Sequence, residues 1–245
     1  MSRTVLITGS TGGLGLAVAS ALGRSGHTVI VSGRTPGRVA SAVAELQASG
    51  IDADGRVLDV SSFESARCAA DDLRARYGHL DVLVNNAGIL PEATAAGEVE
   101  FIHPSAAAQT FATNTLGALY VIEAMLPLLR RSDAGRIVNV SSTVGSLREQ
   151  EDPQSQYFSM IVPAYQASKA ALNSITIGLS KLLADSPIKV TSVCPGYVQT
   201  DLTPGNKTQA PLTAAEAAEV VVRAALLPDT ATSGTFVDAG GPVRW

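Results

Sequence analysis

Aromatic residues are scarce in this 245-residue sequence, and neither sign of charge dominates it. Phe, Trp and Tyr make up 4% of the chain while 46% of it is hydrophobic, so the core must consist mainly of Ala, Val, Leu and Ile. That composition suits helices packed closely on a parallel sheet. The formal charge is −4 and Lys and Arg form no run, which argues against nucleic acid or an anionic membrane as a partner.

Cysteines and long apolar stretches are also few. Cys68 and Cys194 cannot form a disulfide framework, so we expect a cytoplasmic location. The apolar stretches within residues 1–23 are interrupted by glycines between positions 8 and 13, which is unlike a signal peptide. We expect no stretch to reach the ~18 apolar residues of a membrane span, and we expect no metal site.

What the sequence does contain is an alternation of short β-branched runs with longer Ala-rich segments of helical period. The strand candidates are residues 5–7, 28–31, 57–58, 82–84, 137–140, 190–193 and 235–237. The helix candidates are residues 13–25, 36–49, 62–77, 106–131, 164–184 and 213–227. Their start signals are Pro36 after Thr35 and two capping boxes, Ser61 with Glu64 and Thr213 with Glu216.

Repeated βα units predict a single α/β domain over residues 1–245, a doubly wound Rossmann fold. Its sheet is expected to have seven strands, mostly parallel, with helices on both faces. Ligands bind such sheets at the carboxyl ends of the strands. The residues that follow each strand are therefore the candidates for function.

The first strand is followed by a glycine-rich turn, TGSTGGLG at positions 8–15, which opens the first helix. Glycines let the backbone approach a phosphate closely, and a helix N-terminus favours the anion. The spacing T-G-x-x-x-G-x-G differs from the common dinucleotide fingerprint and resembles the turn of the short-chain dehydrogenase/reductase family. Taken alone, this turn has a competing interpretation as a glycine-rich loop without a ligand.

The second strand ends in Ser32, Gly33 and Arg34, with no acidic residue there. NAD-binding sites usually place an acid near this point for the ribose 2′-hydroxyl, whereas an arginine accommodates the 2′-phosphate of NADP. Arg34 and Arg38 therefore predict a preference for NADP(H). The competing interpretation is that both are solvated surface arginines.

Tyr165 and Lys169 lie four residues apart in the helix candidate between the fifth and sixth strands, so they share one helix face. Hydride transfer to a ketone leaves an alkoxide that needs a proton, and a tyrosine pKa of ~10 is too high for easy proton cycling at neutral pH. A neighbouring ammonium and a positively charged nicotinamide would lower that pKa. Tyr165 would then serve as general acid in reduction and as general base in oxidation.

These motifs are similar to those of short-chain dehydrogenases/reductases, in the same order, along essentially the whole chain. The resemblance implies that Ser142 bonds the substrate carbonyl and that Asn114 holds a water linking Lys169 to solvent. The catalytic set is then Asn114, Ser142, Tyr165 and Lys169. Without the resemblance, Ser141 and Ser142 could merely satisfy backbone groups at a strand end, and a mid-helix Asn usually faces water or kinks the helix.

The resemblance also assigns the NADP(H) contacts. It implies that Asp59 accepts from the adenine amino group, that the turn at 85–88 lies along the adenosine ribose, and that the loop at 195–200 seats the nicotinamide. The implied contacts are Gly9, Ser10, Thr11, Gly13, Leu14, Gly15, Arg34, Asp59, Val60, Asn86, Ala87, Gly88, Tyr165, Lys169, Pro195, Gly196, Val198 and Thr200. Asn85 has a competing role in satisfying backbone groups at the strand end.

The gap between Ser142 and Tyr165 is longer than the family's commonest one. The extra residues at 148–157, like the chain's ending at 240–245, resemble the carbonyl-reductase branch. We expect this insertion to border the substrate pocket and to alter the faces used for subunit contact, so a homodimer, a homotetramer and a monomer all stay open. Residues 203–211 are a candidate lid. The apolar pocket candidates are Ile89, Leu90, Val144, Tyr157, Phe158, Tyr197 and Leu202.

These pocket candidates predict a small apolar carbonyl compound, or the matching alcohol, as substrate. Two alternatives stay open. One is a 3-oxoacyl-thioester reductase, although the acidic insertion argues against an acidic carrier protein as partner. The other is a non-catalytic NADP(H)-sensing protein, which would have no need for Ser142, Tyr165 and Lys169 together.

Overall fold

One sheet runs through the computed structural model, which describes residues 2–97 and 99–245. Its strands are β1 (Thr4–Ile7), β2 (Thr28–Gly33), β3 (Ala53–Val57), β4 (Val82–Asn85), β5 (Arg136–Val140), β6 (Lys189–Val193), β7 (Thr235–Asp238) and β8 (Gly241–Pro242). They lie in the order β3-β2-β1-β4-β5-β6-β7-β8, and every neighbouring pair is parallel except β7 with β8. The predicted doubly wound α/β fold is confirmed.

The sheet has eight strands within the described residues, where the sequence predicts seven. Gly241 and Pro242 fold back as a short antiparallel strand on β7. The Asp238 carboxylate holds the turn by accepting hydrogen bonds from the amides of Gly240 (2.8 Å) and Gly241 (3.0 Å). At the other edge, β3 begins at Ala53, before the predicted residues 57–58. Its sequence ADGRV has little strand propensity, and its pairing with β2 forms it.

Helices cover both faces of this sheet. They are α1 (Gly13–Arg24), α2 (Pro36–Ala48), α3 (Phe63–Tyr77), α4 (Pro104–Phe111), α5 (Gly117–Leu129), α6 (Leu147–Glu151), α7 (Pro163–Leu182), α8 (Asn206–Gln209) and α9 (Ala214–Ala225). One core lies between the sheet and α1, α2 and α9, and the other lies between the sheet and α3, α5 and α7. Successive strand residues point to opposite faces, so Val5 and Ile7 enter the first core and Leu6 enters the second.

The predicted helix at 106–131 is interrupted. Between α4 and α5 lie five residues of π-helix, Ala112–Leu116. Asn114 in this segment hydrogen-bonds to Ile89 and Ser168, outside its own helix. Short π segments are frequent at functional sites, where they reorient a side chain.

The helical stretch Pro104–Leu129 is, by length and composition alone, long and apolar enough to cross a membrane. Half of the most apolar 18-residue segment of this stretch is buried inside the fold, where α5 packs against α3 and α4 packs against α7. Packing against neighbouring helices accounts for the apolar composition of this stretch.

One of the two predicted capping boxes is confirmed. At the start of α9, the Thr213 hydroxyl accepts from the Glu216 amide (3.2 Å) and the Glu216 carboxylate accepts from the Thr213 amide (2.8 Å). The predicted box of Ser61 with Glu64 is wrong, because the cap of α3 is Ser62. The hydroxyl of Ser61 is bound to a neighbouring carboxylate instead.

Candidate active site

A cavity of about 820 Å³ opens at the carboxyl ends of the central strands. Its volume falls in the range of roughly 300–1,000 Å³ that is usual for small-molecule and cofactor sites. Residues from every predicted cofactor motif line it. They are Gly9, Thr11, Gly13, Leu14, Gly15, Arg34, Asp59, Val60, Asn86, Ala87, Gly88, Tyr165, Lys169, Pro195, Gly196, Val198 and Thr200.

Two glycines of the turn after β1, Gly9 and Gly15, have no room for larger side chains. Gly9 has a φ of 62°, and a Cβ there would lie 2.9 Å from Ala87 Cα. A Cβ at Gly15 would lie 2.6 Å from the side-chain nitrogen of Asn86, which donates to the carbonyls of Thr8 (2.9 Å) and Gly9 (3.0 Å). The turn is therefore locked against the end of β4, with the N-terminus of α1 facing the cavity in the arrangement that suits a phosphate group.

Ser10 is the one predicted cofactor contact that does not line this cavity. Its side chain is fully buried, donates to the Ile7 carbonyl (2.7 Å) and accepts from the Ser32 amide (2.9 Å). These bonds fasten the glycine turn to β2, so Ser10 supports the shape of the turn from inside the fold.

Two arginines flank the end of the cavity next to β2. Arg34 and Arg38 are exposed and line this end together with Asp59 and Val60. The Arg38 guanidinium reaches over the glycine turn, 3.7 Å from where a Cβ of Gly12 would lie. Within residues 2–97 and 99–245, neither arginine forms an ion pair. Both guanidinium groups are thus placed to receive an anion at this end.

Tyr165 and Lys169 lie at the other end of the cavity, on the first turns of α7. They are 9% and 4% exposed. The Lys169 ammonium donates to the Val140 carbonyl (2.8 Å) and lies 5.6 Å from the centre of the Tyr165 ring. A Cβ at Gly145 would lie 2.6 Å from Lys169 Cβ, so a glycine there lets the turn after β5 pack directly on α7.

Burial disfavours the charged forms of both groups. It raises the pKa of Tyr165 above its ordinary value of 10, and the neighbouring Cys194 adds to that rise. It lowers the pKa of Lys169 from 10.5 to about 8. The sequence predicts a lowered pKa for Tyr165, whereas within this chain the loss of hydration raises it. At neutral pH, Tyr165 is therefore a phenol with a proton to donate, and Lys169 is mostly an ammonium.

Ser142 follows β5 and lines the same end of the cavity. Its hydroxyl accepts only a long hydrogen bond, 3.4 Å, from the Val144 amide. The hydroxyl of Ser141 is buried and donates to the Lys169 carbonyl (3.3 Å), which makes it part of the support for α7. Ser142 is the serine of this pair that is free to bond a ligand.

Asn114, the fourth predicted catalytic residue, lies behind the cavity without lining it. It is 1% exposed and does not face water. Its oxygen accepts from the Ile89 amide (2.9 Å), and its nitrogen donates to the Ile89 carbonyl (2.9 Å) and the Ser168 hydroxyl (3.1 Å). Through these hydrogen bonds Asn114 joins the loop after β4 to α7. Its implied role in holding a water stays a prediction.

The loop after β6 also lines the cavity. The Thr200 methyl lies 3.3 Å from where a Cβ of Gly13 would be, so this loop contacts the glycine turn. The buried Asn206 donates to the Val198 carbonyl (3.1 Å) from the predicted lid at 203–211. That segment contains the four-residue helix α8.

The comparison with known proteins agrees with this geometry. Residues 3–211 match the family described as short chain dehydrogenase. The chain belongs to the short-chain dehydrogenase/reductase family of oxidoreductases. Short-chain dehydrogenase/reductase 1 of Saponaria officinalis is 34% identical, over 96% of this chain and 93% of that relative.

Two solved structures of family members are also similar. The NADPH-bound carbonyl reductase from chicken fatty liver has a TM-score of 0.85 at 26% identity, covering 100% of this chain and 99% of that one. A 3-ketoacyl-ACP reductase from Sinorhizobium meliloti 1021 has a TM-score of 0.80 at 28% identity, covering 97% and 98%. The likeness extends over nearly the full length of each chain.

The apolar wall that this family member offers a substrate differs in part from the prediction. Ile89, Leu90, Val144, Tyr157, Tyr197 and Leu202 line the cavity as predicted. Phe158 does not, since it is 50% exposed and lies outside. Met160 and Val162 line the cavity instead, and both are held by Gln166, which donates to the Met160 carbonyl (3.2 Å) and accepts from the Val162 amide (3.1 Å). The segment around Met160 has no regular hydrophobic period in the sequence that could have indicated which of its side chains point into the cavity.

Proposed function

We propose that this protein is an NADPH-dependent carbonyl reductase, which reduces a ketone or aldehyde to an alcohol or catalyses the reverse reaction. One observation carries the proposal. Ser142, Tyr165 and Lys169 lie at one end of the cavity, and Arg34 and Arg38 lie at its other end. A proton donor and a site for a 2′-phosphate are the two parts that such a reaction needs from the protein.

The cofactor NADP(H) supplies the hydride that the protein's own side chains cannot. Its fit is supported by the glycine turn, where added Cβ atoms at Gly9 and Gly15 would collide with neighbouring atoms. Arg34 and Arg38 receive the 2′-phosphate, which an arginine can bond with two parallel N–H groups. An NADPH-bound relative with the same fold adds support.

Tyr165 donates its phenolic proton to the carbonyl oxygen while the carbonyl carbon gains the hydride, so a neutral alcohol forms and a phenolate remains. Ser142 donates a hydrogen bond to the same oxygen and stabilises the negative charge that develops there. The Lys169 ammonium stabilises the phenolate until a proton from solvent restores the phenol. The Val140 carbonyl fixes the position of that ammonium.

The substrate is a small apolar carbonyl compound. Ile89, Leu90 and Met160 present apolar side chains beside the proton donor. Among the described residues that line this end of the cavity, only Lys169 has a cationic side chain, and the phenol needs it, so the lining offers no separate partner for a carboxylate or phosphate on the substrate.

A second candidate is the reduction of a 3-oxoacyl thioester, which the likeness to a 3-ketoacyl-ACP reductase favours. The insertion beside the pocket carries Glu149, Glu151 and Asp152. These carboxylates would repel an acidic carrier protein, so we rank this candidate second.

The test follows NADPH oxidation with a panel of aromatic and aliphatic ketones and aldehydes and one 3-oxoacyl thioester. It compares the wild type with Tyr165→Phe, which keeps the ring and removes the proton. The control is Tyr120→Phe, because Tyr120 packs against Phe63 away from the cavity. Loss of a general acid typically costs about 10²–10⁴-fold in rate, so we expect a drop of that size for Tyr165→Phe only.

NADPH binding, measured by fluorescence titration, should be nearly unchanged in both variants. Full activity of Tyr165→Phe would refute the assignment of the proton donor. A faster rate with the thioester than with every free ketone would move the second candidate to first place. A wild type that binds NADPH and reduces nothing in the panel would favour a non-catalytic sensor.

A further inference from the structure

The N-terminus of α7 is capped by a residue from another part of the chain. Val162 precedes the helix and provides no side-chain cap. Glu92, in the short 3₁₀ turn Pro91–Ala93 after β4, accepts a hydrogen bond of 2.6 Å from the backbone amide of Tyr165. A carboxylate satisfies a free amide of the first helical turn and is attracted by the positive end of the helix dipole.

The other peptide group of Tyr165 is tied to the same loop. The Ser168 hydroxyl donates to the Tyr165 carbonyl (2.8 Å) and accepts from the Asn114 side chain (3.1 Å). Asn114 in turn binds both the amide and the carbonyl of Ile89. The loop at 89–92 is therefore connected to the backbone of Tyr165 directly at Glu92 and, at Ile89, through the side chains of Asn114 and Ser168.

That loop also forms part of the substrate wall. Ile89 and Leu90 line the cavity next to the phenol. Their position relative to Tyr165 is thus set by two attachments, one through Asn114 and one through Glu92. Lys169 is one turn further along α7 and is held separately by the Val140 carbonyl. Weakening the hydrogen bond from the Tyr165 amide to Glu92 should shift Tyr165 relative to the substrate, while Lys169 and the glycine turn stay in place.

We propose that Glu92 is a positioning residue for Tyr165, which aligns the proton donor with the substrate held against Ile89 and Leu90. This inference rests on the proposed function of Tyr165. Proton transfer is sensitive to such alignment, since a misplacement of about 1 Å can cost on the order of 100-fold in rate. Lys169 on the same helix and Cys194 after β6 are titratable groups close to Tyr165, and neither is changed in the test below.

Two variants separate the effect of the side-chain length of Glu92 from the effect of its charge. Glu92→Asp keeps the charge and withdraws the carboxylate by about one C–C bond, ~1.5 Å, which takes it out of hydrogen-bonding distance. Glu92→Gln keeps the reach and still offers a carbonyl oxygen to the amide. Both stay polar and close to the size of the native side chain, so folding should persist. Glu100→Asp, an exposed acid in the following segment, is the matched control.

The measurements are kcat and KM for the carbonyl substrate, the Kd of NADPH, and the solvent deuterium isotope effect on kcat. For Glu92→Asp we expect kcat to fall about tenfold, which corresponds to ~1.4 kcal/mol of transition-state energy. Its isotope effect should rise, because proton transfer becomes slower, and its Kd for NADPH should stay within about twofold of the wild type. Glu92→Gln should retain most of the wild-type kcat and isotope effect, and Glu100→Asp should match the wild type.

Hydrogen exchange of the first turn of α7 gives a readout that needs no substrate, and it should be faster in Glu92→Asp than in Glu92→Gln. Equal kcat values and isotope effects in Glu92→Asp and the wild type would overturn the inference. So would an equal loss in both Glu92 variants together with weaker NADPH binding, since that pattern indicates general damage to the fold. An inactive wild type, by contrast, would overturn the proposed function itself.

Discussion

Replacing Lys169 by methionine should change how the stability of this protein depends on pH. The ammonium is 4% exposed, and burial lowers its pKa from 10.5 to about 8. At ~1.36 kcal/mol per pKa unit, keeping this charge inside the fold costs about 3 kcal/mol below pH 8. Between pH 8 and 10.5 the unfolded chain holds one proton more than the folded chain, so the contribution of this group to stability rises with pH.

Lys169→Met removes the buried charge and also leaves the Val140 carbonyl without its 2.8 Å donor. The lost hydrogen bond costs about 1–3 kcal/mol, so at pH 7 it opposes the gain from removing the buried charge. The informative quantity is the change with pH. From pH 7 to pH 9.5, the unfolding free energy of the wild type should rise by about 2 kcal/mol relative to that of the variant. The rise occurs over the roughly 1.5 pH units that lie above the folded-state pKa of Lys169, at ~1.36 kcal/mol per unit.

The assay is urea unfolding of both proteins at these two pH values and constant ionic strength. The tyrosines are common to both proteins, so their titration cancels in the difference. Lys181→Met is the control, because Lys181 lies on the same helix and is exposed. A difference between wild type and Lys169→Met that is the same at both pH values would refute the conclusion that Lys169 is desolvated.

Four further substitutions, one of them a packing control, test packing, cofactor choice and capping. Gly145→Ala should lower the unfolding free energy by about 1–3 kcal/mol and reduce kcat, because the new methyl would meet the α7 backbone at 2.7 Å. Gly178→Ala lies on α7 itself with nothing within 4 Å of the added Cβ, so it should be neutral or stabilising by up to about 1 kcal/mol in thermal denaturation. Arg34→Ala should raise the KM for NADPH about tenfold and leave that for NADH nearly unchanged, which initial-rate kinetics with both cofactors would check. Thr213→Ala should destabilise the protein by about 1 kcal/mol through loss of the cap shared with Glu216, and an unchanged melting temperature would contradict that role.

Local signals explain what could be read from the sequence. The glycine spacing at 8–15, the absence of an acid beside Arg34 and the four-residue separation of Tyr165 from Lys169 each depend on neighbours in the chain. The alternation of strand and helix patterns likewise reflects local period, and it placed the motifs at the strand ends where the cavity opens. These features predicted the α/β class, the glycine turn, Arg34 and the Tyr165–Lys169 pair, and the family resemblance implied most of the other residues that line the site.

Contacts between distant segments could not be read in this way. That the Ser141 hydroxyl is bonded to the Lys169 carbonyl, although both serines line the cavity, depends on how the turn after β5 packs on α7. The choice of Met160 over Phe158 as a pocket residue depends on the bonds of Gln166. The eighth strand depends on a turn held by one carboxylate.

The sequence by itself therefore determined the class of fold, the order of the motifs and the identity of the proton donor's neighbours along one helix face. Only the tertiary structure decided that Ser10 supports the glycine turn from within, that Asn114 joins a loop to α7, and that Glu92 caps the helix of Tyr165 from far away in the chain. The physical reason is that burial and hydrogen-bond partners are properties of the packed chain. The raised pKa of Tyr165 follows from the same packing, because it reflects how little water reaches the phenol.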